Sequence, residues 1–516
     1  MKKSTYLDSI SLMKISNALS KLPGVAQAAV VMATELNRRV LSEAGFADAT
    51  IGQASTSDMI VAVEAADGTS LDSAFAEMEK MLKPSEKKPG ELAEPTSLDE
   101  AVERRPDSNL AFISVPGQFA KREAMRALSK GMDVFLFSSN VTREEEVELK
   151  AVSKGKGLLL MGPDCGTSII NHKVLGFGNT IRAGTIGLAS ASGTGLQEVT
   201  TLIHKAGLGI TQAIGTGGSD LSEEVGGITM IQGLDLLEAD AATRVIVLIS
   251  KPPGPLTMQK LLNVAAGSKK PVVVNFLGGE VKAPKGSGLR MAGTLEEAAS
   301  IACELAGAKH VSTELPSDTV SQARLANERL SASQKYVRGL FSGGTLCYES
   351  QVILRDLLGE VYSNAPLNPT YMVQGEGPSK GHCCIDMGSE EFVEGRPHPM
   401  IDFSLRNIRI LQEAKDPETA VVLLDVELGF GSNDDPAGQL SPAIRKAMDF
   451  AKGAGRSLTV VASVIGTDGD AQGLAKQEEV LRKAGVLILP SNAQATRIAA
   501  LIANGKAVLP KMAGVG

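Results

Sequence analysis

Two short stretches of the chain each combine a strand-like apolar run, a loop of small polar residues and a helix-like segment that carries a carboxylate. The first, GLASASGTGLQEV, covers residues 187–199, and the second, GLFSGGTLCYESQV, covers residues 339–352. Helix starts expose unpaired N–H groups and about half a positive charge, so such loops can bind phosphate or carboxylate groups. The candidate anion-binding residues are Ser190, Ser192, Gly193 and Thr194 in the first loop and Ser342, Gly343, Gly344 and Thr345 in the second.

For either loop alone, the alternative is a Ser/Thr N-cap with glycines that only starts a helix. The repetition favours a functional role. Two further loops, GPDCGTS at residues 162–168 and GTGGSD at residues 215–220, also follow strand-like runs. Because open α/β sheets bind ligands at the carboxyl ends of their strands, we expect Gly217 and Gly218 of the latter loop to line a substrate site.

The polar stretch EGRPHPMIDFSLRNIR, residues 394–409, supplies the catalytic candidates. The guanidinium groups of Arg396 and Arg406 suit a carboxylate or a phosphate. His398 lies between two prolines that favour an extended backbone, and it is predicted to act as a general acid/base or to donate to a substrate carbonyl. Asp402 is predicted to contact substrate. The alternative for Asp402 and Arg406 is an ordinary i,i+4 surface pair.

Two other polar groups leave alternatives open. His382 with Cys383 and Cys384 could bind a metal, but no second cluster completes the site, so we expect buried structural residues and predict no metal. A run of acidic residues near a predicted strand end is either a set of solvated loop carboxylates or a contact for a substrate amide or a cation. These acidic residues are Asp425, Glu427, Asp434 and Asp435.

Composition and charge exclude several classes of protein. The chain has 516 residues, 43% of them hydrophobic, and a net charge of -7, so it can form several cores but has no general basic field for nucleic acid or anionic lipid. The five cysteines are scattered, which is typical of a reducing compartment. No stretch is long and apolar enough to span a bilayer. We therefore expect a cytoplasmic protein without nucleic-acid or membrane partners.

An internal repeat organises the chain. Residues 227–254 align with residues 400–431 through a helix, an acidic turn, a β-branched strand and a glycine loop. The predicted domains are a small α+β module over residues 1–84, a proline- and charge-rich linker over 83–95, an open α/β domain over 97–182, and two homologous α/β domains over 183–310 and 336–512.

Three motifs resemble the α subunit of succinyl-CoA synthetase over about residues 97–305. They are GLLLMGPDCGTSI, GTIGLASASGTGLQEVTTLIHKAGLGITQAIGTGGSD and VKAPKGSGLRMAG. The C-terminal repeat looks like the related CoA-ligase domain of the β subunit. The chain organisation together with GLFSGGTLCYES resembles the FdrA family over essentially the full length. This resemblance implies an α/β fold with tandem flavodoxin-like CoA-ligase domains, preceded by a truncated Rossmann-like domain and a small ferredoxin-like module.

The chain departs from the synthetase pattern at chemically decisive positions. Arg290 or Met291 stands where the synthetases have the histidine that carries phosphate, and a thioether cannot accept and return a phosphoryl group. Lys251 follows the strand where the carboxylate supporting that histidine would lie. The glycine fingerprint before Leu110 and any ATP-grasp segment are also missing. We therefore expect no nucleotide cofactor and no phosphohistidine, and no CoA.

The resemblance to the FdrA family implies a subunit of an oxamate carbamoyltransferase in allantoin breakdown, oligomeric and active with partner subunits encoded beside it. The reaction converts oxalurate and phosphate to oxamate and carbamoyl phosphate. In this hypothesis the two loops bind carbamoyl phosphate, Arg396 or Arg406 binds the oxamate carboxylate, and His398 polarises the carbamoyl oxygen. The alternatives are a CoA-dependent ligase or transferase subunit whose phosphohistidine lies in a partner, and a non-catalytic scaffold.

Overall fold

A computed structural model describes residues 1–505 except 4, 6, 8, 44, 47, 83–94, 280–281, 309–311 and 395, and it also describes residue 508. The chain forms two compact units. The first joins Met1–Glu94 with Gly388–Leu405, and the second joins Pro95–Met387 with Arg406–Gly516. The predicted linker lies outside the described residues, apart from Pro95.

The first unit is a small α+β module. Its strands β1 and β2 are antiparallel, with Val30 opposite Val61, and Lys2 forms an isolated bridge to Met59. A ferredoxin-like fold has four strands, and the described residues of this module form two of them. The elements are α1 (Ser9–Ser20), β1 (Val25–Met32), α2 (Glu35–Glu43), α3 (Ala49–Gln53), β2 (Met59–Ala65) and α4 (Gly68–Leu82).

The second unit begins with a three-stranded parallel sheet in the order β3-β4-β5. Two of its helices begin at N-cap residues of the types that usually cap helices. Ser97 accepts from the Glu100 amide, and Thr142 forms a capping box with Glu145. The elements are α5 (Leu98–Arg104), β3 (Leu110–Ile113), α6 (Gly117–Ser129), β4 (Asp133–Leu136), α7 (Arg143–Gly155) and β5 (Leu160–Met161).

The first repeat forms a sheet in the order β12-β11-β10-β8-β9-β6-β7. Its own five strands have the flavodoxin-like order 2-1-3-4-5. The hairpin β6 and β7 lies before the predicted start of this domain but extends its sheet, with Ile169 opposite Ala213. The elements are β6 (Thr167–Ile170), β7 (Lys173–Gly176), β8 (Ala183–Ser190), α8 (Gly193–Lys205), β9 (Ile210–Gly215), α9 (Ile228–Ala239), β10 (Val245–Ser250), α10 (Pro255–Ala266), β11 (Val272–Phe276), β12 (Arg290–Met291) and α11 (Leu295–Leu305).

The second repeat forms a parallel sheet in the order β14-β15-β13-β16-β17-β18, which is the same flavodoxin-like order with β14 added at the edge. Both long central strands, β10 and β16, are buried along their whole length, as in sheets covered on both faces. The elements are α12 (Ser317–Glu328), β13 (Tyr336–Phe341), α13 (Gly344–Leu358), β14 (Val361–Ser363), β15 (His382–Asp386), α14 (Glu390–Val393), α15 (Ser404–Lys415), β16 (Thr419–Glu427), α16 (Pro436–Gly453), β17 (Thr459–Ile465), α17 (Leu474–Lys483), β18 (Val486–Leu489) and α18 (Asn492–Ala503).

One continuous hydrophobic core joins the two repeats. It contains Leu196 and Val199 of α8, Leu346 of α13 and Ile498 of α18, all fully buried. Burial of each such side chain stabilises the assembly of the repeats by about 1.5–3 kcal/mol. The four helices α8, α11, α13 and α18 therefore fix how the two loops singled out by the sequence are placed.

Candidate functional site

The two predicted anion-binding loops lie against each other. In the first repeat β8 ends at Ser190 and α8 begins at Gly193, and in the second β13 ends at Phe341 and α13 begins at Gly344. The Ser192 hydroxyl donates a hydrogen bond of 2.6 Å to Thr345 Oγ1. The starts of α8 and α13 thus converge, and the positive ends of two helix dipoles meet at one place.

Small residues make this close approach possible. A Cβ atom on Gly343 would lie 2.9 Å from Thr194 Cβ and Oγ1. A Cβ atom on Gly195 would lie 3.2 Å from Thr345 Cγ2. Side chains at these positions would push the two helix starts apart, since real Cβ contacts are longer.

Several hydrogen-bonding groups of the first loop are paired with side chains of the same loop. The Ser190 hydroxyl donates to the Ser192 carbonyl (2.8 Å) and accepts from the Ser192 amide (3.0 Å), and Ser192 Oγ accepts from the Gly195 amide (2.8 Å). Ser190 and Ser192 are buried. Within the described part of the chain, the N–H groups of Gly193 and Thr194 have no protein acceptor, so these two amides are the donors that the first loop offers to a ligand.

The second loop already holds a carboxylate of the protein. Asp425 Oδ1 accepts from the Ser342 amide (2.8 Å), and Asp425 Oδ2 accepts from the Gly343 amide (2.7 Å). The N-cap Gly343 makes no side-chain cap bond, and among described residues no acceptor meets the Gly344 and Thr345 amides. Of the four predicted residues, Gly344 and Thr345 keep donors for a ligand, whereas Ser342 and Gly343 do not.

A second carboxylate lies beside the same helix start. A Cβ atom on Gly344 would be 2.5 Å from Asp386 Oδ2, so the Asp386 side chain packs directly against this glycine. Asp386 ends strand β15 and is nearly buried. The second loop therefore has two carboxylates beside its helix start, Asp425 and Asp386.

Arg406, predicted to contact substrate, lies fully inside the second unit. Its guanidinium group pairs with Asp425 Oδ1 at 2.5 Å and donates to Ser342 Oγ (2.7 Å) and to the Leu340 carbonyl (2.7 Å). The Arg406 side chain has no exposed surface. We therefore correct the sequence interpretation: Arg406 positions the second loop by neutralising Asp425, and the predicted surface pair with Asp402 is replaced by this buried pair.

The acidic run after residue 424 lies at a strand end as predicted, but only part of it consists of loop carboxylates. Asp425 and Glu427 are buried members of β16 and are not solvated loop carboxylates. Burial, together with the charge of Asp425, holds the pKa of Glu427 well above its usual range. Asp435 caps α16 by accepting from the Gly438 amide, and Asp434 is exposed.

The other predicted catalytic residues belong to the first unit. Arg396 donates to Asn37 Oδ1, and Asn37 in turn donates to the Met32 carbonyl at 2.8 Å. His398 Nδ1 accepts from the Met400 amide at 3.3 Å. Asp402 Oδ1 accepts from both the amide and the hydroxyl of Ser404, at 3.0 and 2.5 Å. These three residues thus lie in a different unit from Arg406.

The GTGG loop borders the start of α8. Gly217, with φ +90°, packs so closely on the turn at residues 162–163 that a Cβ atom would lie 2.3 Å from the Pro163 carbonyl oxygen. Gly218 is exposed. The loop is anchored by Asp220, which pairs with the buried Lys150 at 2.6 Å and accepts from the Met230 amide at 2.8 Å. Of the two predicted glycines, Gly218 offers a surface to a ligand.

Lys251 is the cation that the sequence analysis did not assign to the site. It directly follows β10, and its Nζ lies 5.8 Å from the ring centroid of Tyr348, which is on the second turn of α13. The side chain is exposed. The sequence feature that could have identified Lys251 is its position directly after a strand, at the carboxyl edge of the sheet.

His382 and His204 are held by structural contacts. Burial, reinforced by Arg338, lowers the pKa of His382 to about 4, and His382 Nδ1 accepts from the Val337 amide. His204 Nδ1 accepts from the Arg182 amide, and its Nε2 bonds to Asp468 Oδ1 at 2.5 Å. Cys383 and Cys384 are buried. Among the described residues, no three His, Cys, Asp or Glu side chains are grouped to hold a metal ion.

Comparison with known proteins defines the class. Residues 340–502 match the CoA-ligase family model, and residues 1–97 match the heavy metal-associated domain of AllF. The succinate–CoA ligase (ADP-forming) α subunit of Staphylococcus epidermidis is 27% identical over 200 residues, which cover 38% of this chain and 64% of that one. The chain therefore carries a CoA-ligase domain of the succinyl-CoA synthetase type.

The family follows from a full-length relative. The Escherichia coli protein YahF is 43% identical over 495 residues, covering 95% of this chain and 96% of that protein. The chain belongs to the YahF family. Among solved structures, the dinucleotide-forming acetyl-coenzyme A synthetase 1 of Ca. Korarchaeum cryptofilum shares 17% identity and a TM-score of 0.33, over 80% of this chain and 87% of that chain.

Two further findings bear on the class. The segment that matches the heavy metal-associated domain contains neither cysteine nor histidine, so it offers no thiolate or imidazole ligand to a metal. Searched over the described residues, no helix is long and apolar enough to cross a membrane.

Proposed function

We propose that the chain is a subunit of a cytoplasmic carbamoyltransferase that converts oxalurate and phosphate to oxamate and carbamoyl phosphate in allantoin breakdown, together with partner subunits encoded beside it. The CoA-ligase domain and the AllF-related N-terminal domain support an allantoin-related subunit of this fold. The observation that carries the proposal is the convergence of α8 and α13. Their ends offer the free amides of Gly193, Thr194, Gly344 and Thr345.

The chemistry needs a dianion site and no covalent intermediate on the protein. A phosphate oxygen attacks the carbamoyl carbon of oxalurate, the bond from that carbon to the inner nitrogen breaks, and the nitrogen leaves with the phosphate proton as the amide of oxamate. Converging backbone amides hold the phosphate in place through the whole step. Lys251, beside α13, supplies a positive charge to the phosphate held by these amides. The roles of Arg396 and His398 on the oxamate portion stay predictions.

The alternative, a CoA-dependent ligase or transferase subunit, has one observation in its favour besides the family match. A cavity of about 300 Å³ lies at the carboxyl ends of β3 and β4, lined by residues 114–117 and 137–140. Ligands of open α/β sheets bind at such ends. The two functions therefore predict different protecting ligands.

The test is to purify the chain with its neighbouring-gene products and to measure carbamoyl phosphate formed from oxalurate and phosphate. Carbamoyl phosphate at 100 times its Kd should stabilise the chain by about 2.7 kcal/mol, seen as a raised Tm. Protection by CoA and not by carbamoyl phosphate would favour the ligase, and protection by neither would favour a scaffold.

Matched variants locate the site. Lys251→Met should weaken binding of phosphate several-fold at unchanged Tm, while Lys269→Met, an exposed lysine of the same repeat, should leave it unchanged. Replacing Arg396 or His398 by Ala should abolish turnover if they act on oxamate. Full turnover in both variants would exclude them from catalysis.

A further inference from the structure

Each repeat contributes one glutamate side chain that accepts a hydrogen bond from the other repeat; we call these two the exchanged bonds. Glu198 is the sixth residue of α8, and Glu349 is the sixth residue of α13. Glu198 Oε1 accepts the backbone N–H of Asn492, the first residue of α18, at 2.9 Å. Glu349 Oε1 accepts the backbone N–H of Leu295, the first residue of α11, at 2.7 Å. Each glutamate therefore closes the start of the last helix of the other repeat.

The helix starts themselves show that these bonds belong to the interface. Thr294 caps α11 by accepting from the Glu297 amide, and Ser491 caps α18 by accepting from the Gln494 amide. In each helix the local cap accepts the N–H of the third residue. The N–H of the first residue is instead accepted by the glutamate of the other repeat. Of these bonds to the helix-start amides, separating the repeats would break the two exchanged ones and leave the local caps intact.

The exchanged carboxyl groups lie in a buried polar cluster. Asn492 Nδ2 donates to Glu349 Oε2 at 2.8 Å, and Ser491 Oγ donates to Glu296 Oε2 at 2.5 Å. Several charged groups interact with the two glutamates or with their neighbours. They are Glu296 on α11, paired with Arg497 on α18, together with Lys205 on α8 and Asp425 on β16.

We propose that Glu198 and Glu349 are positioning residues that fix the two repeats in the arrangement in which the starts of α8 and α13 form one anion site. Each glutamate lies five residues, or about 7.5 Å, along its helix from the amides of that site. A shift of either helix relative to the other repeat would strain both an exchanged bond and the Ser192 to Thr345 contact. This inference rests on the proposed function.

The arrangement has a pH dependence of defined sign. Burial raises the pKa of Glu198 and of Glu349 to about 7 in each case, against an ordinary value of 4.5. Docked repeats therefore bind more protons than separated repeats between pH 4.5 and pH 7, so docking is favoured at low pH and this contribution is lost as the pH rises through 7. A glutamine keeps an acceptor oxygen but cannot ionise.

The test uses the intact chain, with inorganic phosphate as the probe at pH 8.0. The double variant E198A/E349A should lower Tm at every pH from 5.5 to 8.5, speed amide exchange in the peptides that contain Leu295 and Asn492, and weaken phosphate binding at least tenfold in calorimetry. The double variant E198Q/E349Q should bind phosphate within twofold of the unchanged chain and should flatten the decline of Tm above pH 6. Glu479→Ala, at an exposed pair on α17, is the control.

The outcomes separate the two proposals. Unchanged exchange at Leu295 and Asn492 in the alanine variant, or failure of the glutamine variant to restore phosphate binding, overturns the positioning role while leaving the anion site in place. An unchanged chain that binds no phosphate, but shows the predicted exchange and pH effects, overturns both the proposed function and the positioning of an anion site. In that case the two glutamates only hold the repeats together.

Discussion

Replacing Arg406 by Met separates the structural role found here from the substrate contact predicted by the sequence. The substitution keeps an apolar side chain of some length but removes the charge that faces Asp425. It also removes donors to Ser342 Oγ and to the Leu340 carbonyl, each at 2.7 Å. We therefore expect the second loop to lose its anchor.

The magnitude follows from burial. Neither partner of the ion pair has exposed surface, so removing one leaves an uncompensated buried charge, which costs about 3–5 kcal/mol. Asp425 keeps the Ser342 and Gly343 amides as donors, which places the cost at the lower end of that range. The double variant R406M/D425N removes both charges and should be more stable than R406M alone.

The assay is urea unfolding followed by circular dichroism, with the midpoint and slope fitted for each variant. R482M is the control, because Arg482 forms an exposed i,i+4 pair with Glu478 and its loss should cost less than about 1 kcal/mol. If R406M costs less than 1 kcal/mol and still abolishes phosphate binding, Arg406 contacts the ligand and the structural assignment is refuted.

Three further predictions concern the loops and the second repeat. G343A should separate the helix starts, because its Cβ would lie 2.9 Å from Thr194, and should remove protection by phosphate; G453A, with nothing within 4 Å, should not. Asp386→Asn should tighten phosphate binding several-fold in calorimetry by removing a like charge beside α13, and weaker binding would show that this carboxylate assists the ligand. Because the pKa of His382 is about 4 in the folded chain against 6.5 ordinarily, the free energy of unfolding should rise with pH between 4 and 6.5 by about 2–3 kcal/mol. H382Q should flatten that rise in urea midpoints, and an unchanged slope would contradict it.

Local patterns in the sequence predicted the architecture well. The β-branched runs at residues 245–250 and 419–427 are fully buried parallel strands, and both repeats have the flavodoxin-like order. Ser192 is an N-cap, as its position before Gly193 indicated. These features depend on residues a few positions apart, so local sequence patterns are enough to predict them.

Contacts between distant residues could not be predicted in the same way. The segment DVELG suggested a strand end with solvated acids, yet the strand continues to Glu427, because Arg406 neutralises Asp425 from 19 residues earlier. Glu198 and Asn492 are 294 residues apart. Arg396 and His398 belong to the unit of the N-terminal module, although the predicted domain over residues 336–512 included them. Sequence spacing carries no information on such pairings.

The asymmetry between the two loops indicates which repeat binds the more highly charged reactant. Both helix starts contribute positive dipole ends, but the second loop has given two of its amides to Asp425 and has Asp386 against Gly344. The Asp425 charge is offset by Arg406, so Asp386 determines the difference. A carboxylate charge beside the Gly344 amide would oppose a phosphate dianion bound there. The dianion is therefore expected on the Gly193 and Thr194 amides of the first repeat, with Thr345 and Lys251 completing the site from the side of α13.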